Sequence, residues 1–333
     1  MDHQQWSLRM GFAVISCALL LRLASAGIFV PVAEFLSQPK IASFLIYLET
    51  GRIVRFSASD GENSPLFALE SPEPVFEKPA ITETLPGFSA EEGAAVSIRY
   101  NCTLRPDLGE LITRPLRWDL TIQEPTVLIL HTHATESYTK SQGERYTESV
   151  AFRTLDENYN MISVGTHLAE LLTQAGINVI HDQTLHDYPS YSGSYSAARK
   201  AIDAWLKKYP TISLVLDIHR DASGDNNNQM VTSAKVNGQK SAQLMLVVGT
   251  NYDTWEDNLA LALKMQVQLE RNAPGICRYI NLRAQRFNQD KSAGALLVEV
   301  GAAGNTHQEA LTAVEVLANA ISDLKKGAET PAA

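Results

Sequence analysis

The chain has 333 residues, 45% of them apolar and 20% charged, which is enough to bury a substantial core and to carry further segments beside it. A formal net charge of −9 argues against the basic face on which nucleic-acid binders rely, so no nucleic-acid partner is expected. Three cysteines (Cys17, Cys102 and Cys277) form neither a disulfide framework nor a cysteine zinc motif, which tilts any metal site toward histidine and carboxylate donors. Cys17 lies in an apolar run, so only Cys102 and Cys277 are left as a pair, and sequence alone does not place them within bonding range.

Residues 10–30 are mostly apolar and long enough for one bilayer crossing, interrupted by Arg22. Two competing readings are a cleaved signal peptide with a small-residue site at Ala24-Ser25-Ala26, and a lipoprotein on Cys17. The uncleaved anchor is preferred. Arg9 precedes the span and the next basic residue beyond it is Lys40, so the N-terminus is expected in the cytoplasm and the rest outside. The expected layout is a cytoplasmic N-terminus and anchor over 1–32 and a membrane-proximal segment and Pro-rich linker over 33–122. A catalytic domain over 123–326 and a disordered tail over 327–333 follow. Pro65, Pro72, Pro74, Pro79 and Pro86 mark the linker. Residues 96–122 are expected to add a strand or two.

From residue 126 the pattern changes. Val127–Leu130 is a short continuous apolar run, as a buried strand requires. A helix is expected over 158–175, stopped by Gly176, then a strand over 177–180 and a helix over 195–209. Strands over 213–218, 244–248 and 296–300 and helices over 257–272 and 308–325 complete the set. This alternation predicts an α/β domain with a mostly parallel sheet and flanking helices.

In such sheets chemistry gathers at the carboxyl ends of the strands. After the first run come His131, His133 and Glu136; after the third strand come His219, Arg220 and Asp221; the last strand carries Glu299. Two histidines with an acid fit zinc-assisted hydrolysis, in which the metal polarises water and a carboxylate takes its proton. The bland reading of each histidine is a hydrogen-bonded structural group. The bland reading of Glu299, which sits between Val298 and Val300, is an ion pair with Arg220 or Arg286. His131 and His133, two apart, would face one side of a continuing strand, as two ligands or as a ligand and its support.

The segments Leu128 to Tyr138, Asp217 to Ala222, Arg286 to Gln289 and Leu297 to Gly301, with Gly304-Asn305-Thr306, resemble the stage II sporulation protein P family. So do Asp156 to Asn160, His186 to Pro189 and Leu48 to Arg52. The resemblance implies a zinc N-acetylmuramoyl-L-alanine amidase fold, with an additional endopeptidase activity on peptide cross-links. It implies a peptidoglycan substrate and action during sporulation engulfment. It also implies work beside a lytic transglycosylase (stage II sporulation protein D) and a membrane partner (stage II sporulation protein M). It places zinc on His133, Asp156 and His219, with Glu136, Glu157 or His131 as alternative or supporting groups and Glu299 as general base. Arg220 then serves the oxyanion or a stem-peptide carboxylate, and Asn288 and Gln289 the substrate. The rival classes are a membrane-tethered wall-binding protein without activity and a zinc peptidase confined to cross-links.

Overall fold

The computed structural model describes residues 87–114, 120, 122–225 and 228–326. The expected membrane span, the proline-rich stretch up to residue 86 and the tail lie outside them. No helix among the described residues is long and apolar enough to cross a membrane.

The first elements fall inside the expected linker. Helix α1 (Ala90–Ala95) opens with a capping box: Ser89 Oγ accepts from Glu92 N–H at 3.3 Å and Glu92 Oε2 accepts from Ser89 N–H at 3.0 Å. Strand β1 (Ile98–Asn101) and helix α2 (Leu108–Thr113), the latter capped by Asp107, follow. Leu111 and Ile112 are buried in the main core, so this segment belongs to the domain.

The central sheet is built from β1, β2 (Val127–Leu130), β5 (Val179–His181), β6 (Leu214–Asp221), β11 (Leu244–Gly249), β12 (Ile280–Arg283) and β13 (Ala295–Ala302). Their order is β1-β12-β11-β13-β6-β2-β5. All neighbours run parallel except β11 and β13. The exception follows from the connection that precedes β11. Between β6 and β11 lie only the short strands β7 (Gly224–Asp225), β8 (Asn228–Gln229), β9 (Ala234–Val236) and β10 (Gln239–Ser241). With no crossover helix there, the chain returns antiparallel.

Alternation along each strand sorts side chains to two faces. Val127, Ile129, Leu214, Leu216, Val298 and Val300 meet the core beneath α3 (Met161–Gln174), α5 (Trp255–Asn272) and α6 (His307–Lys326). Leu128, Leu130, Val215 and Ala295 face α4 (Ser194–Lys208) through Ala198 and Ile202. Asp217, His219 and Glu299 continue this second, thinner face.

The hairpin of β3 (Glu148–Val150) and β4 (Arg153–Thr154) lies between β2 and α3. Cys102 and Cys277 are both free thiols. They flank opposite ends of the parallel pair β1–β12, where Ile98 aligns with Ile280, so they sit far beyond disulfide reach.

Candidate active site

The strand β2 stops at Leu130 and the chain turns, so His131 and His133 diverge. His131 is fully buried on the α3 side. Its Nδ1 lies 2.9 Å from the Ile218 carbonyl, which only an N–H can satisfy, so Nε2 is the acceptor. His181 Nε2, 2.9 Å away, then donates to it. Burial pushes His131 down to about 3 and His181 down to about 4, keeping both rings neutral. The pair fits because position 165 is glycine: a Cβ there would come within 2.4 Å of His131 Nε2 and 2.6 Å of His181 Nε2. His131 therefore supports the strand end that carries His219.

The turn is pinned from the other side. Asp217 accepts from Thr132 N–H at 2.8 Å and from Thr132 Oγ1 at 2.6 Å. This aims His133 at His219, with ring centroids 5.3 Å apart and nearly perpendicular. Tyr191 stacks on His133 at 4.5 Å. Glu136 lies one turn further on, 4% exposed, with Oε2 3.6 Å from His219 Nδ1. On the strand beside β6, Glu299 is the register partner of His219.

The electrostatics of these groups diverge. Burial pushes Glu299 up to about 8, reinforced by the carboxylates of Glu136 and Asp221, and its Oε2 is sealed from solvent without a partner. Burial also pushes Glu136 upward, but Arg220 and His219 outweigh it and hold the carboxylate well below its usual range. Burial lowers His133 to about 4, so this ring is neutral. Burial works against a charged His219 too, but Asp217 and Glu136 overcome it and raise the ring well above its ordinary value. The ion pair of Glu299 with Arg220 or Arg286, the bland alternative to a general base, is not made: Arg220 meets Glu136 and Arg286 meets Asp290.

Several residues singled out from sequence sit elsewhere. Asp156 spends its Oδ1 on the Asn158 N–H (3.1 Å) and Nδ2 (2.9 Å) of its own turn, whereas Glu136 is the acid beside His219. Arg220 is buried and committed, donating from Nε to Ser137 O at 3.1 Å and from Nη2 to Phe152 O at 2.9 Å. It fixes Glu136 and the β3–β4 hairpin instead of facing a substrate. Gln289 bridges the end of β11, accepting from Gly249 N–H at 2.7 Å and donating to Val247 O at 2.8 Å. Asn288 Nδ2 donates to Tyr195 O at 2.8 Å. Both amides are thus occupied in holding the walls.

Other members were not singled out from sequence. Arg153 donates to Asp187 Oδ2 at 2.7 Å and Glu136 Oε1 at 3.2 Å, and its guanidinium carbon lies 4.7 Å from the centre of the Tyr191 ring. Asp187 in turn accepts from Thr135 Oγ1 at 2.6 Å, tying the loop that follows β5 to the turn that carries His133. Asp217 was the legible one, because period-two alternation puts it on the face of His219.

No set of three or more His, Cys, Asp or Glu side chains among the described residues is drawn together as a metal cage. The donor chemistry nonetheless suits a zinc ion. His133 Nδ1 is buried and makes no hydrogen bond. His219 Nε2 is likewise without one, although Asp217 Oδ1 lies 2.9 Å away out of hydrogen-bond alignment. Glu136 stands at the other nitrogen of His219, 3.6 Å from Nδ1, so two imidazoles and this carboxylate close around one ion with the His219 ring turned over.

Residues 75–322 match the family model described as Stage II sporulation protein P. The Stage II sporulation protein P of Bacillus subtilis (strain 168) is 27% identical over 217 residues, covering 61% of this chain and 52% of that protein. The chain thus spans about half the length of the curated relative it matches. Among solved structures it resembles the CwlD amidase from Clostridioides difficile in complex with the GerS lipoprotein. The TM-score is 0.38 at 15% identity, over 61% of this chain and 95% of that one. It also resembles the N-acetylmuramoyl-L-alanine amidase AmiC2 of Nostoc punctiforme, with a TM-score of 0.35 at 14% identity over 60% and 95%. These structural likenesses are too distant to transfer an activity. The family match covers most of the chain, and the chain belongs to the stage II sporulation protein P family.

Proposed function

We propose that this chain is a zinc-dependent peptidoglycan hydrolase that cleaves the amide between N-acetylmuramic acid and L-alanine. The observation that carries the reading is the meeting of Glu299, with its buried unpaired oxygen, and His219 at one level of the sheet, opposite His133 and Glu136. His133, His219 and Glu136 would hold the ion, Glu136 taking the place that sequence gave to Asp156. When bound, zinc would polarise both the attacking water and the amide carbonyl.

Glu299 takes the proton of the attacking water and returns it to the leaving amine of L-alanine. A carboxyl held near neutrality by burial suits both transfers. Asp217 holds the Thr132 turn and lies 2.9 Å from His219 Nε2. Arg153 and Arg220 both pair with Oε1 of Glu136. On this reading the apolar run over residues 10–30 would serve as an anchor and leave the domain outside the cell membrane, where the wall is. Action in sporulation engulfment, beside sporulation proteins D and M, belongs to the same proposal, and membership of the family supports it.

The test is dye release from labelled, purified cell wall by the full-length chain, with mass analysis of the soluble fragments. Free stem peptides are the expected product; cut cross-links alone would assign a peptidase. Glu299→Ala and His219→Ala should each be folded and inactive. Full activity in either variant rejects the site. A folded wild type that binds wall and carries no zinc would make the protein a tethered binder.

A further inference from the structure

One group in the site has no task in the reaction above. Tyr195 sits in the first turn of α4, directly after Ser194, and its backbone carbonyl is held by Asn288 Nδ2 at 2.8 Å. Its ring meets His133 edge-on at 5.5 Å and tilts against Phe287 at 6.0 Å. The ring is thus clamped between the β2 turn and the loop before β13. Burial raises the phenol well above its ordinary range, and the carboxylates of Asp217, Glu299 and Glu136 add to the effect, so the hydroxyl keeps its proton. Its hydroxyl makes no hydrogen bond among the described residues.

Amide hydrolysis needs a donor where negative charge grows on the carbonyl oxygen. The nearby guanidiniums are spent: Arg153 on Asp187 and Glu136, Arg220 on Glu136 and two backbone carbonyls. Glu136 and Asp217 are acceptors when ionised. We infer that the Tyr195 hydroxyl donates a hydrogen bond to the carbonyl oxygen of the scissile amide as the tetrahedral intermediate forms. No bond to Tyr195 is made or broken; the phenol keeps its proton throughout. The inference rests on the amidase reading, to which it adds a residue for stabilising the oxyanion.

The test runs wild type, Glu299→Gln, Tyr195→Phe and Tyr195→Leu side by side, as the full-length chain, on a soluble glycan-peptide fragment. Zinc content and thermal midpoint are measured for each. Tyr195→Phe keeps both ring contacts and should lose on the order of 10²-fold in kcat, with KM and zinc content unchanged. Tyr195→Leu should lose little more in kcat. If Tyr195→Phe stays within about twofold of wild type while Glu299→Gln is dead, the hydroxyl has no such role and the amidase reading stands. If Tyr195→Phe is active and only Tyr195→Leu fails, the ring is mere packing and the inference is overturned. A folded wild type that releases no peptide overturns both the inference and the amidase reading.

Discussion

Glu299 and His219 are register partners on the neighbouring parallel strands β13 and β6, so their side chains leave the same face of the sheet at the same level. Partner positions on adjacent strands lie about 5 Å apart, which lets a single substrate bond meet both. Their environments pull them in opposite directions. Burial keeps the carboxyl of Glu299 protonated to unusually high pH, while Asp217 and Glu136 outweigh burial and raise His219 well above its ordinary value.

That contrast makes stability depend on pH with a defined sign. The pKa of Glu299 rises from 4.5 to about 8 on folding, so the native state holds its proton more tightly. The resulting stability is present below pH 4.5 and is lost as pH rises toward 8. In metal-free protein, the thermal midpoint of wild type relative to Glu299→Gln should fall by several degrees between pH 5 and pH 8. A pH-independent difference would contradict the buried carboxyl.

The identity of the acidic ligand is tested by metal content. Glu136→Ala should weaken zinc binding by at least about 10-fold to 100-fold, the loss typical even of groups that only support a metal site. Asp156→Ala should retain zinc, because that carboxylate serves its own turn. Equilibrium dialysis against a zinc chelator reads both, and the opposite ranking would restore Asp156 as the ligand.

Gly165 offers a packing test. Alanine normally stabilises a helix interior by about 0.5–1 kcal/mol relative to glycine. Here its Cβ would press on both imidazoles of the His131–His181 pair, and overpacking of this kind costs about 1–3 kcal/mol. Gly165→Ala should therefore destabilise in chemical denaturation, against the helix propensity scale.

The same pair should respond to acid. His131 and His181 titrate near 3 and 4 in the fold but near 6.5 when unfolded, so the unfolded chain binds the extra protons. Stability contributed by the neutral pair is lost progressively as pH falls below 6.5. Nitrogen NMR should find both rings uncharged at pH 6, with the proton of His131 on Nδ1. A charged ring at that pH would refute the arrangement.

Sequence by itself determined the strand ends and what they carry. Apolar runs closed by His133, His219 and Glu299 are legible because a strand's period and its buried character are local properties. Alternation also marks Asp217 as sharing the face of His219. The family followed from the order of these motifs. What only the tertiary structure decided depends on where the chain turns. The turn after Leu130 sends His131 beneath the sheet and His133 above it, against the expectation of one shared side. Glu136 replaces Asp156 beside His219 because that turn brings it under Arg220 and Arg153, whereas Asp156 caps its own loop. Arg153 and Asp187 reach the site from a hairpin and a loop that carry no periodic signal, and Tyr195 from the start of a helix that sequence marks but whose place against the site it does not give. The antiparallel β11 likewise reflects the missing crossover helix. Contacts between segments far apart in the chain are set by the packing of the whole sheet, and no local pattern encodes them.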